Sequence, residues 1–384
     1  MKSKIVILTV LTLVFSSIAF ASQPRKEKEA VIKGLRPMGM GGAFTAVSND
    51  ENVFFYNPAG ITRKRSDCLV QFSAIEAAVS SQKFDYYNFY KDNKVDLHNF
   101  GNLPLADKSR LLIQAMENVN YIFISGPKIL FIAEPIDVAE NSLNFGFGIF
   151  SYADLSFDKL RPLSFEMETA AMGILPVAFK ITSLKAIKLP GSLSLGANFK
   201  YIYRAKSFGD SMMIVENYDK YVFVGGKSFG IDLGTIYHLN SHWNFGLSIA
   251  DFYGSEIEYK KFNLASYRSS EICYTAKVNP KLNFGAAYIN DKFVFAFDLT
   301  DLMNPDFDEV TIKNLLRIGG HVGAEYKFGI FVIRGGLNFG YPTIGGGIVS
   351  DVIRLEYAFY GEEKGNYACR KPAWFHRIAL SFRF

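Results

Sequence analysis

The sequence predicts an all-β fold, a transmembrane antiparallel β-barrel of about 14 strands, and two observations carry that reading. Apolar and polar residues alternate one by one through many separate segments, a sorting that only a strand produces, because its successive side chains point to opposite faces. On the polar face glycine, serine and asparagine dominate, with isolated charges in place of the Lys/Glu/Thr carpet of a solvated sheet. A crowded lumen explains this better than the wet face of a soluble β-sandwich.

The elements follow in chain order. Lys2 and Lys4 precede the apolar run "IVILTVLTLVFSSIAF", and Ala19-Phe20-Ala21 supplies a small-x-small site, so residues 1–21 read as a signal peptide cleaved after Ala21. Ser22 follows, where a lipid anchor would need cysteine. Residues 22–65 form a second unit around "GLRPMGMGGAFTAVSNDENVFFYNPAG" (34–60), which is too apolar for a linker and too punctuated by glycine and proline for an ordinary helix or strand. Residues 66–384 are the alternating body.

Within that body, "SLSLGANFKYIYR" (192–204) places Leu193, Leu195, Ala197, Phe199, Tyr201 and Tyr203 on one face, and Ser194, Gly196, Asn198, Lys200 and Arg204 on the other. "LNFGFGIF", "HWNFGLSI", "KLNFGAAYI" and "RIGGHVGAEYKF" divide the same way. The last segment, "WFHRIALSFRF", sets Trp374, His376, Ile378, Leu380, Phe382 and Phe384 against Arg377, Ser381 and Arg383. Strands are expected at 67–78, 121–133, 143–152, 165–181, 192–204, 228–239, 243–258, 280–289, 292–300, 316–328, 330–340, 343–349, 352–360 and 374–384, an even number, as bacterial barrels have. Short connections such as 240–242, 290–291 and 329–330 then fall on one side. Long ones (79–120, 205–227, 301–315, 361–373) fall on the other, although 134–142 and 182–191 are longer than a periplasmic turn should be. Inside the longest, "LADKSRLLIQAMENV" (105–119) predicts a short amphipathic helix.

Several function classes fall away. No apolar run outside residues 1–21 approaches the eighteen or so residues of a helical span. The net charge of +5, or +3 without Lys2 and Lys4, carries no basic cluster, so nucleic acid is not an expected partner. Cys68, Cys273 and Cys369 lie too far apart in sequence to suggest a disulfide framework or a metal site. "GMGG" follows no strand, and "GGKSFG" (225–230) has Tyr221 where a phosphate-binding loop needs glycine. His238 and His242 flank a tight turn and need not converge on a metal. No nucleophile elbow or anchored carboxylate pair suggests an enzyme, and no cofactor is expected.

The segment at 34–60, set between a signal peptide and this strand pattern, resembles the amino-terminal hatch of the FadL family of outer-membrane transporters for hydrophobic compounds. A branch that includes PorV, a component of protein secretion, carries a similar segment. The match rests on Gly39, Gly41, Gly42, Ala43, Ala46, Asp50 and the Asn57-Pro58-Ala59 motif. The resemblance implies a hatch inside the barrel, passive uptake of long-chain fatty acids or similar hydrophobic compounds, and a location among outer-membrane lipid. The aromatic end at Phe384 likewise resembles the signal read by the barrel assembly machinery. The alternative is a barrel that docks secreted proteins without transporting anything. Pro58 would hold Asn57 extended, so that its amide could bind backbone groups inside the wall. Strand parity puts Lys200, Arg204, Arg317, Lys327, Arg334, Arg354, Arg377 and Arg383 in the lumen against Asp232, Asp298, Glu325 and Glu356. From these Lys200, Arg204, Arg317, Arg334 and Arg354 are candidate contacts for an anionic head group, unless the lumen charges pair with one another or with the hatch.

Overall fold

The structure is a computed structural model that describes residues 25–27, 32–63, 68–81, 86–157, 164–184, 190–210, 222–263, 268–303, 319–363 and 372–384. The expected signal peptide, its cleavage site and Arg317 lie outside the described residues.

Fourteen antiparallel staves follow one another around a closed wall. They are β1 (Leu69–Ser81), β2 (Val119–Ser125, Lys128–Ile132 and Ile136–Val138), β3 (Asn141–Phe157), β4 (Ser164–Ile181), β5 (Ser192–Asp210), β6 (Val222–His238) and β7 (Trp243–Ala250 and Ser255–Asn263). The circuit continues through β8 (Arg268–Val278 and Lys281–Ile289), β9 (Phe293–Leu299), β10 (Gly320–Phe328), β11 (Phe331–Asn338), β12 (Tyr341–Val349), β13 (Ile353–Glu363) and β14 (Pro372–Arg383). β14 pairs back onto β1, from Trp374↔Ser81 to Arg383↔Gln71, and so removes the sheet edge. A short strand, Arg25–Glu27, adds in parallel to Ala276–Val278 of β8.

Large apolar side chains are exposed on the outer face of every stave, from Phe72 and Ile75 on β1 to Ile378 on β14. Such a continuous apolar exterior is stable in lipid and not in water. No helix among the described residues is long and apolar enough to cross a membrane. The inward positions read from parity are buried: Ser194, Asn198, Lys200 and Arg204 on β5, Arg377 and Ser381 on β14.

Each expected strand has its stave, but the boundaries differ in ways that have physical reasons. β5 extends to Asp210 and β6 begins at Val222, so most of the loop expected at 205–227 is wall. The connection expected at 134–142 is a strand piece followed by the turn Ala139–Glu140, with Ala139 at φ 56. β7 is broken by a turn with positive φ at Asp251 and Gly254, and β8 by Asn279-Pro280, where proline cannot donate to the ladder. β1 carries a bulge, with Ser73 and Ile75 opposing the adjacent residues Ser381 and Leu380, so the inward set changes from Gln71 and Ser73 to Glu76, Ala78 and Ser80. On the side of long connections, β11 and β12 are joined by the two-residue turn Phe339–Gly340.

The long connection after β1 holds two helices, α2 (Tyr86–His98) and α3 (Leu105–Asn118). The second is the helix that the spacing of 105–119 predicts; the first has no comparable apolar stripe and was not legible. Residues 32–63 pack as a plug against inward-facing residues of the staves: helix α1 (Leu35–Gly39), then two 3-10 turns, Glu51–Phe54 and Pro58–Thr62. Met40, Phe44, Val53, Phe54 and Asn57 are fully shielded from solvent there.

Candidate functional site

The residues that could carry function converge where this plug meets the wall. Small residues on the wall give it room. A Cβ added at Gly196 would stand 2.5 Å from the Ala59 nitrogen, one at Gly234 2.1 Å from Asn57 Oδ1, and one at Gly246 2.6 Å from the Thr45 carbonyl. Further round, a Cβ at Gly323 would be 2.1 Å from the Met40 carbonyl, and one at Gly345 2.9 Å from Gly39 Cα. The wall glycines of "LNFG" at 282–285 and "WNFG" at 243–246 therefore exist so that plug backbone can lie against strand backbone.

Two residues along β5, β12 and β10 from Gly196, Gly345 and Gly323, a polar side chain grips the plug's main chain. Asn198 Nδ2 donates to the Phe54 carbonyl at 3.1 Å, Thr343 Oγ1 to Gly39 at 3.2 Å, and His321 Nδ1 to Gly41 at 2.7 Å. Asp298 accepts from the backbone nitrogens of Phe44 (2.8 Å) and Thr45 (2.7 Å). These contacts read backbone, so they fix the plug's position without demanding particular side chains.

Asn57 binds in the opposite sense, from plug to wall. Its Oδ1 accepts from the Ala59 nitrogen at 3.1 Å and caps the Pro58–Thr62 turn, while its Nδ2 donates to the carbonyls of Thr45 (3.0 Å), Thr235 of β6 (3.1 Å) and Leu247 of β7 (3.4 Å). Gly41 and Gly42 take φ of 65° and 86°, a left-handed turn that only glycine makes without cost. Gly39 lies against β12, and Pro58 and Ala59 against β5 and β6.

Ion pairs complete the clamp. Arg36 reaches Glu325 of β10 through two parallel bonds of 2.8 Å, and Asp50 at 2.8 Å. Arg354 of β13 and Arg383 of β14 both bind Glu51, at 2.8 and 2.7 Å. Burial would push the Asp50 carboxyl up, but the Arg36 and Arg354 guanidiniums outweigh it and hold that carboxyl far below the usual range. Glu51 is lowered for the same reason, by Arg354 and Arg383 against the effect of burial.

The described head-group candidates are all engaged. Lys200 contacts Asp232 at 2.6 Å and Asp251 at 3.3 Å, Arg204 binds Glu168 at 2.6 Å, Arg334 bridges Glu325 and Glu356 at 2.7 Å each, and Arg354 holds Glu51. Arg377 and Lys128 share Glu76. Lys327 is exposed at the wall's end. The partners Asp50, Glu51, Glu76, Glu168 and Asp251 were not among the acids read from sequence. Glu168 shares the inward parity of Ala170 and Met172 and could have been found; Glu76 was hidden by the bulge in β1.

His238 and His242 do not meet. His238 Nδ1 donates to Asn244 Oδ1 at 2.8 Å, which turns Nε2 toward Ser194 Oγ at 3.3 Å; Ser194 Oγ is in turn 2.6 Å from Thr62 Oγ1. His242 stacks on Tyr288. Ser-His-Asn has the order of a hydroxyl, a base and an orienting group, but Ser194 has no exposed surface and is bonded to Thr62, so these three residues anchor the end of the plug. A cleft lined by Phe55, Tyr56, Pro58, Asn198, Asp232 and Ser248 has room for about one water molecule. Phe384 is exposed at the wall's end and exchanges backbone bonds with Val70.

Comparisons with known proteins accord with this architecture. A mutant of the TodX monoaromatic hydrocarbon channel matches with a TM-score of 0.51 at 10% identity, over 91% of this chain and 98% of that one. The toluene transporter TbuX of Ralstonia pickettii matches with a TM-score of 0.50 at 11% identity, over 91% and 97%. At these identities the likeness establishes the fold. The family model described as "F plasmid transfer operon, TraF, protein" matches residues 137–312. No curated protein matches the chain by sequence.

Proposed function

From a chain that has the FadL-type barrel fold, we propose an outer-membrane channel for passive uptake of long-chain fatty acids or similar hydrophobic compounds. The observation that carries this reading is the plug. Its backbone lies against the inward faces of β5, β6, β7, β10 and β12, which suits a barrel that excludes polar solutes and not an open pore. Transport of a hydrophobe needs no aqueous path, because burying each CH2 contributes roughly 0.8 kcal/mol and an apolar lining can substitute for water. The toluene transport named for TbuX supports a hydrophobic ligand for this chain also. Export by a signal peptide ending at Ala21 and insertion read from Phe384 by the barrel assembly machinery belong to the same proposal.

Purified protein in lipid vesicles should take up labelled fatty acid or toluene saturably, without becoming permeable to small sugars. Sugar permeability with no hydrophobe uptake would replace the reading with that of a pore.

One observation favours a second reading, a non-transporting barrel that docks secreted proteins: the described lumen cations are committed to carboxylates, leaving the lumen to serve as structure. Copurification of a stable secreted partner from native membranes, together with no uptake, would support it.

A further inference from the structure

We infer that an apolar ligand passes the plug along the inner face of β4, where, among the described residues, the plug meets the wall through apolar side chains. This rests on the channel reading above and names the route within it. Among the described residues, the plug's polar bonds run to β5, β6, β7, β9, β10, β12, β13 and β14. Toward β2, β3 and β4 it presents Val53, Phe54, Phe55 and Ile61, packed on Leu130, Phe150, Met172 and Ile174.

β4 itself differs from its neighbours. Its successive inward positions Ala170, Met172, Ile174, Pro176 and Ala178 form an unbroken apolar stripe between Glu168 and Lys180. At roughly 3.3 Å per residue the stripe is about 26 Å long, close to the thickness of a bilayer's hydrocarbon core. The inward face of β5, by contrast, carries Ser194, Asn198, Lys200 and Arg204.

An aromatic contact closes the stripe on the plug's side. Phe54 and Phe55 of the plug each meet Phe150 of β3 edge-on, with centroids 5.2 and 4.8 Å apart. A hydrocarbon chain entering there exchanges one apolar contact for another, whereas insertion at β5–β7, β9, β10 or β12–β14 strands buried donors and acceptors. Rotation of the rings opens the first path; the second requires the plug's polar bonds to break.

The test uses the full-length protein with Cys68, Cys273 and Cys369 replaced by serine, reconstituted in vesicles and carrying either Met172→Cys or Ser248→Cys. N-dodecylmaleimide should label Met172→Cys at least tenfold faster than Ser248→Cys, and a sulfonated maleimide should not label Met172→Cys. Equal or slower labelling of Met172→Cys by the alkyl probe overturns the route. Ile174→Cys serves the same purpose if Met172→Cys lacks the heat-shifted gel migration of a folded barrel. Hydrophobe uptake by the wild type, measured in the same vesicles, separates the failures: no uptake removes the channel reading and the route with it, whereas uptake with an unlabelled stripe removes the route alone.

Discussion

Asn57 shows what one residue must do to seat a plug in a cylinder. It satisfies carbonyls on two staves and one within the plug, and caps a turn whose first residue is proline. Asn57→Ala strands those groups, at about 1–3 kcal/mol for a buried unsatisfied group and about 1 for a lost cap. The barrel should stay folded while the plug loosens, seen as faster protease cleavage within residues 34–60 and raised permeability to small solutes. Gly234→Ala should do the same from the wall side, because its Cβ would collide with Asn57 Oδ1; Gly173→Ala, with nothing within 4 Å, is the control expected to change neither. The Asn-Pro-Ala motif was legible in sequence because proline dictates the geometry before it. The role of Gly234 was only half legible, since alternation says which face a residue occupies and not which segment lies across from it.

At the scale of elements, the plug is held to one side of the wall by charge and to the other by apolar packing. Arg36→Met leaves Asp50 and Glu325 buried with one cation fewer, and breaking such a pair costs about 3–5 kcal/mol. Its single-channel conductance in planar bilayers should therefore rise, with the barrel's migration on gels unchanged. The pH dependence follows from the depressed carboxyls of Asp50 and Glu51. A lowered folded-state pKa contributes stability above the unfolded value, near pH 4, and loses it as pH falls through the folded value. The closed state should thus persist from neutral pH to about pH 5 and open only in stronger acid; opening between pH 7 and 5 would contradict the clamp. The staves were legible because each is a run of strict alternation. The bulge of β1, the breaks in β7 and β8 and the pairing of lumen charges were not, because each depends on where a neighbouring chain lies.

For the whole molecule, the height of the wall decides how it tolerates change on the lipid face. β9 to β12 are 7 to 9 residues long, whereas β3 to β6 have 17 to 19. A tilted strand of about 9–11 residues crosses the hydrocarbon layer, so the short staves have little length outside it and the long ones rise well beyond it. Ile344, near the middle of β12 and 60% exposed, should therefore lie deep in the lipid, and Tyr203, in the outer half of β5 and 41% exposed, near its edge. An arginine costs roughly 2–4 kcal/mol at the midplane of a barrel and about 0–1 near the interface. Ile344→Arg should lose most of that amount in urea titrations from phospholipid vesicles, and Tyr203→Arg almost none. The contrast should vanish in detergent, which has no fixed thickness, because the difference comes from the lipid slab and not from contacts within the wall. Equal losses for the two in vesicles would mean that the short and long staves sit at other depths, and that the wall is not spanned where β9 to β12 are.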